Sequence, residues 1–188
     1  PIPVVPNTGS KEMTFYKWGL VPSWSEDENF GGYNLINARG ETVAEKPSFR
    51  TPFRRKRCLI LSDGFFEWKK PSGGGRKTPY YIRMKDQRPF AFAGLWDRWQ
   101  SPDGDALLSA CIITTEPNET VAHLHNRMPV ILPREAYPDW LQSGEVDPRQ
   151  LTPYLTPYPG AEMEAYPVST FVNNPKNNAP QCIEPAML

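Results

Sequence analysis

The apolar positions of this chain come in short bursts, most of them four to ten residues long. Cys58-Leu59-Ile60-Leu61 is an unbroken apolar run, the pattern of a buried strand. Leu107 to Thr115 and Val130-Ile131-Leu132 have the same character. Met13 to Leu20 has strand composition through Phe15, Tyr16 and Trp18. Pro79 to Met84 and Pro89 to Trp96 are two more strand candidates, split by Lys85-Asp86-Gln87, and Ala165 to Val172 is a last one. Pro1 to Pro6 reads as extended and closes in a turn at Asn7-Thr8-Gly9. Leu35 to Arg39 and Phe65 to Trp68 are short segments between turns, and Pro71 to Gly75 is a clear turn. Helical signals are few. Glu41 to Lys46 fits a short helix stopped before Pro47, and Pro133 to Gln142 fits one opened by its proline with Glu135 in the first turn.

The 22 prolines among 188 residues are spread along the whole chain and gather in no linker. Many short elements joined by rigid turns follow from that, and no repeat or spacer divides the chain. The expectation is one compact domain over residues 1–188, an α+β fold of about seven to nine short strands with two or three helices.

Charge and cysteines narrow the function. Lys plus Arg and Asp plus Glu are 21 each, so a general basic coat for nucleic acid or membrane is excluded and any anion must meet a local patch. Such a patch is offered by Lys46 to Arg57, KPSFRTPFRRKR, with six cations and no acid; the plainer reading is a solvated face. Cys58, Cys111 and Cys182 are odd in number and lack a CxxC, which points to free thiols in a reducing compartment. The first and second sit in apolar runs as structural thiols, and the third lies in a polar tail where it could react. The absence of an 18-residue apolar run gives the expectation of a cytoplasmic protein without membrane contact.

Four constellations can carry chemistry. Asn37-Ala38-Arg39 places an amide beside a guanidinium fork suited to phosphate, or is simply a capped strand end. Asp63-Gly64-Phe65-Phe66-Glu67-Trp68 wedges a carboxyl among aromatics. In a strand Phe65 and Glu67 share one face, so Glu67 either points to water or is desolvated and ready as a general acid. His123-Leu124-His125-Asn126-Arg127 holds both histidines of the chain. No third and fourth ligand stands at zinc spacing, so no metal and no cofactor is expected, and one imidazole can shuttle protons. In Trp18-Gly19-Leu20-Val21-Pro22-Ser23-Trp24, Gly19 and Pro22 break any long element. Trp18 is expected in the strand and core, and Trp24 on a rigid corner as a stacking surface.

These residues stand in an order that resembles a known family. WGLVPSW, NARGET, RCLILSDGFFEW, AGLW, HNRMPVIL and VNNPKNN follow one another from Trp18 to Asn178. Together they resemble the SOS-response-associated peptidase (SRAP) family, sensors of abasic sites in single-stranded DNA. The resemblance implies a β-rich α+β domain with a positively charged channel. It implies Asn37, Glu67 and His125 as the catalytic set: Asn37 positions the reacting sugar, Glu67 moves the proton that opens it, and His125 assists imine formation and reversal. Arg39 and Arg127 resemble phosphate contacts, Trp24 a residue stacked on bases, and Thr114 a residue lining the cleft. The implied partner is single-stranded DNA containing abasic sites, bound by a monomer at the nucleoid if the source is bacterial.

The family's cross-link, a thiazolidine between an N-terminal cysteine and the opened sugar, uses a Cys-Gly-Arg segment not found here, and this sequence opens at Pro1. The expectation is therefore an SRAP-like domain lacking that segment, through truncation or in a lineage that binds DNA without the link. A third possibility is Pro1 itself as an amine nucleophile. The alternative functions are a non-covalent single-strand-binding module and a thiol autopeptidase acting on its own N-terminus.

Overall fold

A computed structural model describes residues 1–32 and 34–186. The strands are β1 (Ile2–Pro6), β2 (Thr14–Trp18), β3 (Asn37–Arg39), β4 (Arg57–Ser62), β5 (Phe65–Lys69), β6 (Thr78–Met84), β7 (Phe90–Gln100), β8 (Ala106–Thr115), β9 (Met128–Pro129), β10 (Ile131–Leu132) and β11 (Met163–Pro167). Three short helices join them: α1 (Pro47–Arg55), α2 (Tyr137–Trp140) and α3 (Pro148–Leu151). The chain is thus an α+β fold, mostly strands. None of its helices is long and apolar enough to cross a membrane among the described residues.

Contacts sort the chain into two units. The first takes Pro1–Ser62, Phe90–Thr115 and Pro129–Tyr158. In it β7, β4, β1, β2 and β8 pair in succession, and β8 pairs back onto β7, so five strands close into a barrel-like ring. Closure leaves these strands without a free edge. All neighbours are antiparallel except β2 beside β8, which lets β3 add to the same edge of β8 in parallel register, Asn37 to Ile112 and Arg39 to Thr114. The core takes Leu59 from β4, Ala91, Ala93 and Leu95 from β7, and Cys111 and Ile113 from β8; Phe53 of α1 and Trp140 of α2 cover them. The two-residue period of a strand sends these residues to one face, while Cys58, Ile60 and Phe92 between them are buried on the other.

The second unit takes Asp63–Pro89, Glu116–Met128 and the residues from Pro159 on. Its frame is a three-stranded antiparallel sheet ordered β11-β6-β5, with Glu67 opposite Tyr80 and Phe66 opposite Tyr81. Phe66, Tyr81 and Tyr166 stack across it at ring separations of 5.1 and 5.9 Å. Gly64 has no alternative here, because a side-chain carbon at that position would collide with the Tyr81 ring.

Several expectations are corrected. Residues 41–46 form turns, and the helix starts at Pro47. A proline at the first helical position loses nothing, since its missing N–H would have no intrahelical partner there. The last strand ends at Pro167 and gives way to a 3-10 turn at Thr170–Asn173. Trp18 lies in β2 but is 46% exposed, its indole N–H donating to the Ile36 carbonyl at 3.1 Å. Cys182 is buried, not a surface thiol, with Sγ 3.6 Å from the Asn177 carbonyl.

The basic run is largely a solvated face, with Lys46, Arg50, Arg54 and Arg55 exposed, but it is not an open patch. Arg57 is fully buried, and its guanidinium donates to the carbonyls of Phe53, Arg54, Trp140 and Gln142 at 2.6–3.1 Å. Burial pushes it down to about 10, which leaves it charged at neutral pH. Arg54 and Arg55 both grip Glu145, and Lys56 pairs with Asp97 at 2.5 Å. Four of the six cations are therefore committed within the fold.

Candidate nucleic-acid surface and proton-transfer pair

In the first unit the aromatic corner is built by backbone donors and buried acceptors. Gly19 turns the chain with a φ of +110°, a left-handed value, and a side chain there would strike the Asn34 carboxamide. The Val21 N–H then donates to Ser109 Oγ at 2.8 Å, and the Ser23 N–H to Asp97 Oδ2 at 2.8 Å. Beyond the corner, the Trp99 indole donates to the Ser25 carbonyl at 2.8 Å. Three side chains of β7 and β8 thus pin the segment on both sides of Trp24. Trp24 itself is 58% exposed, with Phe30 set edge-on at 5.3 Å. A groove of about 340 Å³ runs along Lys17 to Val21 and is bounded by Glu28, Asn29, Gly32 and Asn34.

On β3 the alternation exposes Asn37 and Arg39 and buries Ala38. Amide and guanidinium therefore leave the strand on the same side, two residues apart. Thr114 lies opposite Arg39 but is buried, and its hydroxyl donates to the Ala38 carbonyl at 3.4 Å. Its place is under the strand that presents the pair.

In the second unit Asn118 shapes the histidine segment. Its side-chain oxygen accepts from the Thr120 and Val121 N–H groups at 3.1 Å, opening a turn in which the His125 N–H reaches the Val121 carbonyl at 3.0 Å. That turn separates the two imidazoles. His123 sits edge-on to Tyr80 at 6.3 Å, while His125 places Nδ1 3.9 Å from Glu67 Oε1. The same Nδ1 lies 3.2 Å from both the N–H and the carbonyl of Arg127. As a neutral acceptor it takes the Arg127 N–H; as a donor it can face the carbonyl or the Glu67 carboxylate.

Glu67 is half-buried on β5. Desolvation raises its pKa above the ordinary glutamate value, opposed by the His125 charge, a backbone hydrogen bond at Trp68 and the Lys77 charge. A carboxyl whose hold on its proton is strengthened beside an imidazole has the makings of an acid-base pair. Arg127, two residues along, is half-buried. Among the described residues no three His, Cys, Asp or Glu side chains gather as metal ligands.

Sequence reasoning missed Asp97, Ser109 and Lys77. Asp97 carried a signal: an acid directly after the apolar run Phe90 to Trp96 in a strand is costly to bury without a partner, so its 3% exposure demands the N–H groups and the ammonium it holds.

The class these features define is a β-rich α+β domain with a closed sheet, an exposed aromatic corner and a half-buried acid-base pair. The chain belongs to the SOS response associated peptidase (SRAP) family, whose sequence profile matches residues 1–175. It is 49% identical over 168 residues to the abasic site processing protein YoqW of Bacillus subtilis, covering 89% of this chain and 74% of that protein. It is 34% identical over 200 residues to the abasic site processing protein HMCES of Mus musculus, covering 92% of this chain but 56% of the mouse protein. A crystal structure of a protein from Bacteroides thetaiotaomicron superposes with a TM-score of 0.89 at 34% identity, covering all of this chain and 82% of that one.

Proposed function

We propose that this protein binds single-stranded DNA at abasic sites and acts on the sugar of the lesion through Glu67 and His125. The observation that carries the reading is the 3.9 Å approach of an exposed imidazole to a desolvated carboxyl in a family whose relatives are named for abasic site processing. An abasic sugar is a cyclic hemiacetal. Opening it requires a proton delivered to the ring oxygen as the C1–O bond breaks and another taken from the C1 hydroxyl, leaving an aldehyde. Glu67, protonated, supplies the first; neutral His125 accepts the second. Asn37 orients the sugar, and Arg39 and Arg127 take phosphates without reading bases. Trp24 offers a ring face to a base beside the lesion. Thr114 supports the strand that carries Asn37 and Arg39.

The test uses a single-stranded oligonucleotide with one abasic site, and the chain both alone and preceded by the family's Cys-Gly-Arg segment. Salt-sensitive binding by either form, and a denaturation-resistant adduct by the extended one, are expected. Glu67→Gln in the extended form should slow adduct formation while leaving binding nearly intact. Absence of DNA binding by both forms overturns the reading, and an unchanged adduct rate removes Glu67 from it.

A further inference from the structure

The second unit carries a cluster of cations that the acid-base chemistry leaves unused. The β5–β6 connection reads Lys69-Lys70-Pro71-Ser72-Gly73-Gly74-Gly75-Arg76-Lys77, and no Asp or Glu stands between Trp68 and Lys85. Residues 70–78 are all exposed. Three neighbouring cations of this unit are engaged: Arg83 with Glu164 at 2.8 Å, Arg88 with Glu162 at 2.8 Å, and Lys85 with the Ala161 carbonyl at 2.7 Å. Among the described residues Lys69, Lys70 and Arg76 meet no carboxylate, and the charge of Lys77 acts on Glu67.

Strand geometry aligns this cluster with the acid-base pair. Lys69 follows Glu67 by two residues on one strand, so both leave β5 on the same side, about 6.6 Å apart. Lys69 pairs with Thr78 in the last rung of the ladder, which sets Lys69 and Lys70 on one arm of the loop opposite Arg76 and Lys77 on the other. The loop tip is three glycines, two of them at positive φ. Four like charges close together repel unless an anion lies among them, and a glycine tip lets the arms adjust to it.

We propose that this hairpin is a phosphate-binding finger that grips the nucleic-acid backbone running on from the lesion. The inference rests on the DNA-binding reading above and extends it to a second site. Lys70 follows Glu67 by three residues, about 10 Å at the rise of an extended chain and roughly the span of three stacked nucleotides. The contact is to phosphates, so it does not depend on base sequence or on the lesion.

The experiment is fluorescence anisotropy with a labelled single-stranded 20-mer carrying a tetrahydrofuran abasic analogue, titrated from 50 to 200 mM salt. The wild type is compared with the variant K69S/K70S/R76S/K77S and with K69R/K70R/K77R, thermal melts confirming that each is folded. Removing four phosphate contacts should lower the slope of log affinity against log salt by about 2.8, a relative change of about fifty-fold across that range. The arginine variant should keep the wild-type slope. Trimming the oligonucleotide to one nucleotide beyond the analogue, on one flank, should erase the difference between wild type and serine variant. A wild type that does not bind overturns the functional reading and the finger together. A wild type that binds with the same slope as the serine variant overturns the finger alone, and so does an arginine variant that loses as much slope as the serine one.

Discussion

Replacing His125 with asparagine should raise the ionisation midpoint of Glu67. Two influences act on this carboxyl in opposite senses: burial raises its pKa, and the neighbouring imidazole lowers it when charged. At the acid pH where carboxyls titrate, an imidazole carries its proton. The separation is 3.9 Å, with side-chain exposures of 46% for His125 and 21% for Glu67. At that distance two unit charges interact by about 1 kcal/mol in a water-like dielectric and about 4 kcal/mol at an effective dielectric of 20. The exposed imidazole places the pair towards the lower figure. Asparagine keeps a side chain able to accept from the Arg127 N–H while removing the titrating charge.

The assay is a carbon-detected NMR titration of the glutamate carboxyls, with Glu67 assigned through Glu67→Gln. The His125→Asn midpoint should lie above wild type, with the other carboxyls unmoved. Stability follows with a definite sign. A carboxyl whose folded pKa lies above its unfolded value binds more protons in the native state, so its contribution is lost as pH rises from the ordinary glutamate value through the raised one. His125→Asn widens that window, and the urea-unfolding free energies of variant and wild type should diverge by about 1 kcal/mol across it. A Glu67 midpoint that stays put, or falls, would refute the coupling and with it the acid-base pair.

Other outcomes follow from the same contacts. Trp24→Ala should leave the unfolding midpoint within about 0.5 kcal/mol of wild type, because the ring is exposed, and should weaken single-stranded DNA binding by about 1–3 kcal/mol, measured by anisotropy. Arg57→Leu strips four carbonyls of their donor and should cost about 3–5 kcal/mol in urea unfolding, with Arg57→Lys recovering only part because an ammonium cannot span the fork. Asp97→Ala leaves the Ser23 N–H and the Lys56 ammonium without their acceptor; faster amide exchange at residues 21–25 should report the loosened corner.

What the sequence disclosed, and what it hid, divides by the range of the interaction. Strand placement was legible because burial imposes a period on neighbouring residues: the run from Cys58 to Leu61 and the alternation at Asn37-Ala38-Arg39 sit where the pattern put them. The candidate site residues were legible as ordered motifs, yet the surroundings of each depend on partners far along the chain. Glu67 reads as a surface carboxyl or a buried acid until His125, 58 positions later, is brought to 3.9 Å. Trp18 and Trp24 have the same side chain in the same motif. They could be told apart only through the Ile36 carbonyl, which holds the one, and through Ser109, Asp97 and Trp99, which fix the corner bearing the other. Charge was the least legible property. KPSFRTPFRRKR is the densest basic run, yet Arg57 turns inward at the start of β4 to hold carbonyls from two helical segments, and Glu145 and Asp97 neutralise its neighbours. In the weaker run from Lys69 to Lys77, Lys69, Lys70 and Arg76 meet no carboxylate among the described residues, which is what the proposed phosphate contact draws on. On a protein with zero net charge, an anion-binding surface is therefore found by subtracting the cations that the fold consumes, and what remains beside Glu67 is the hairpin.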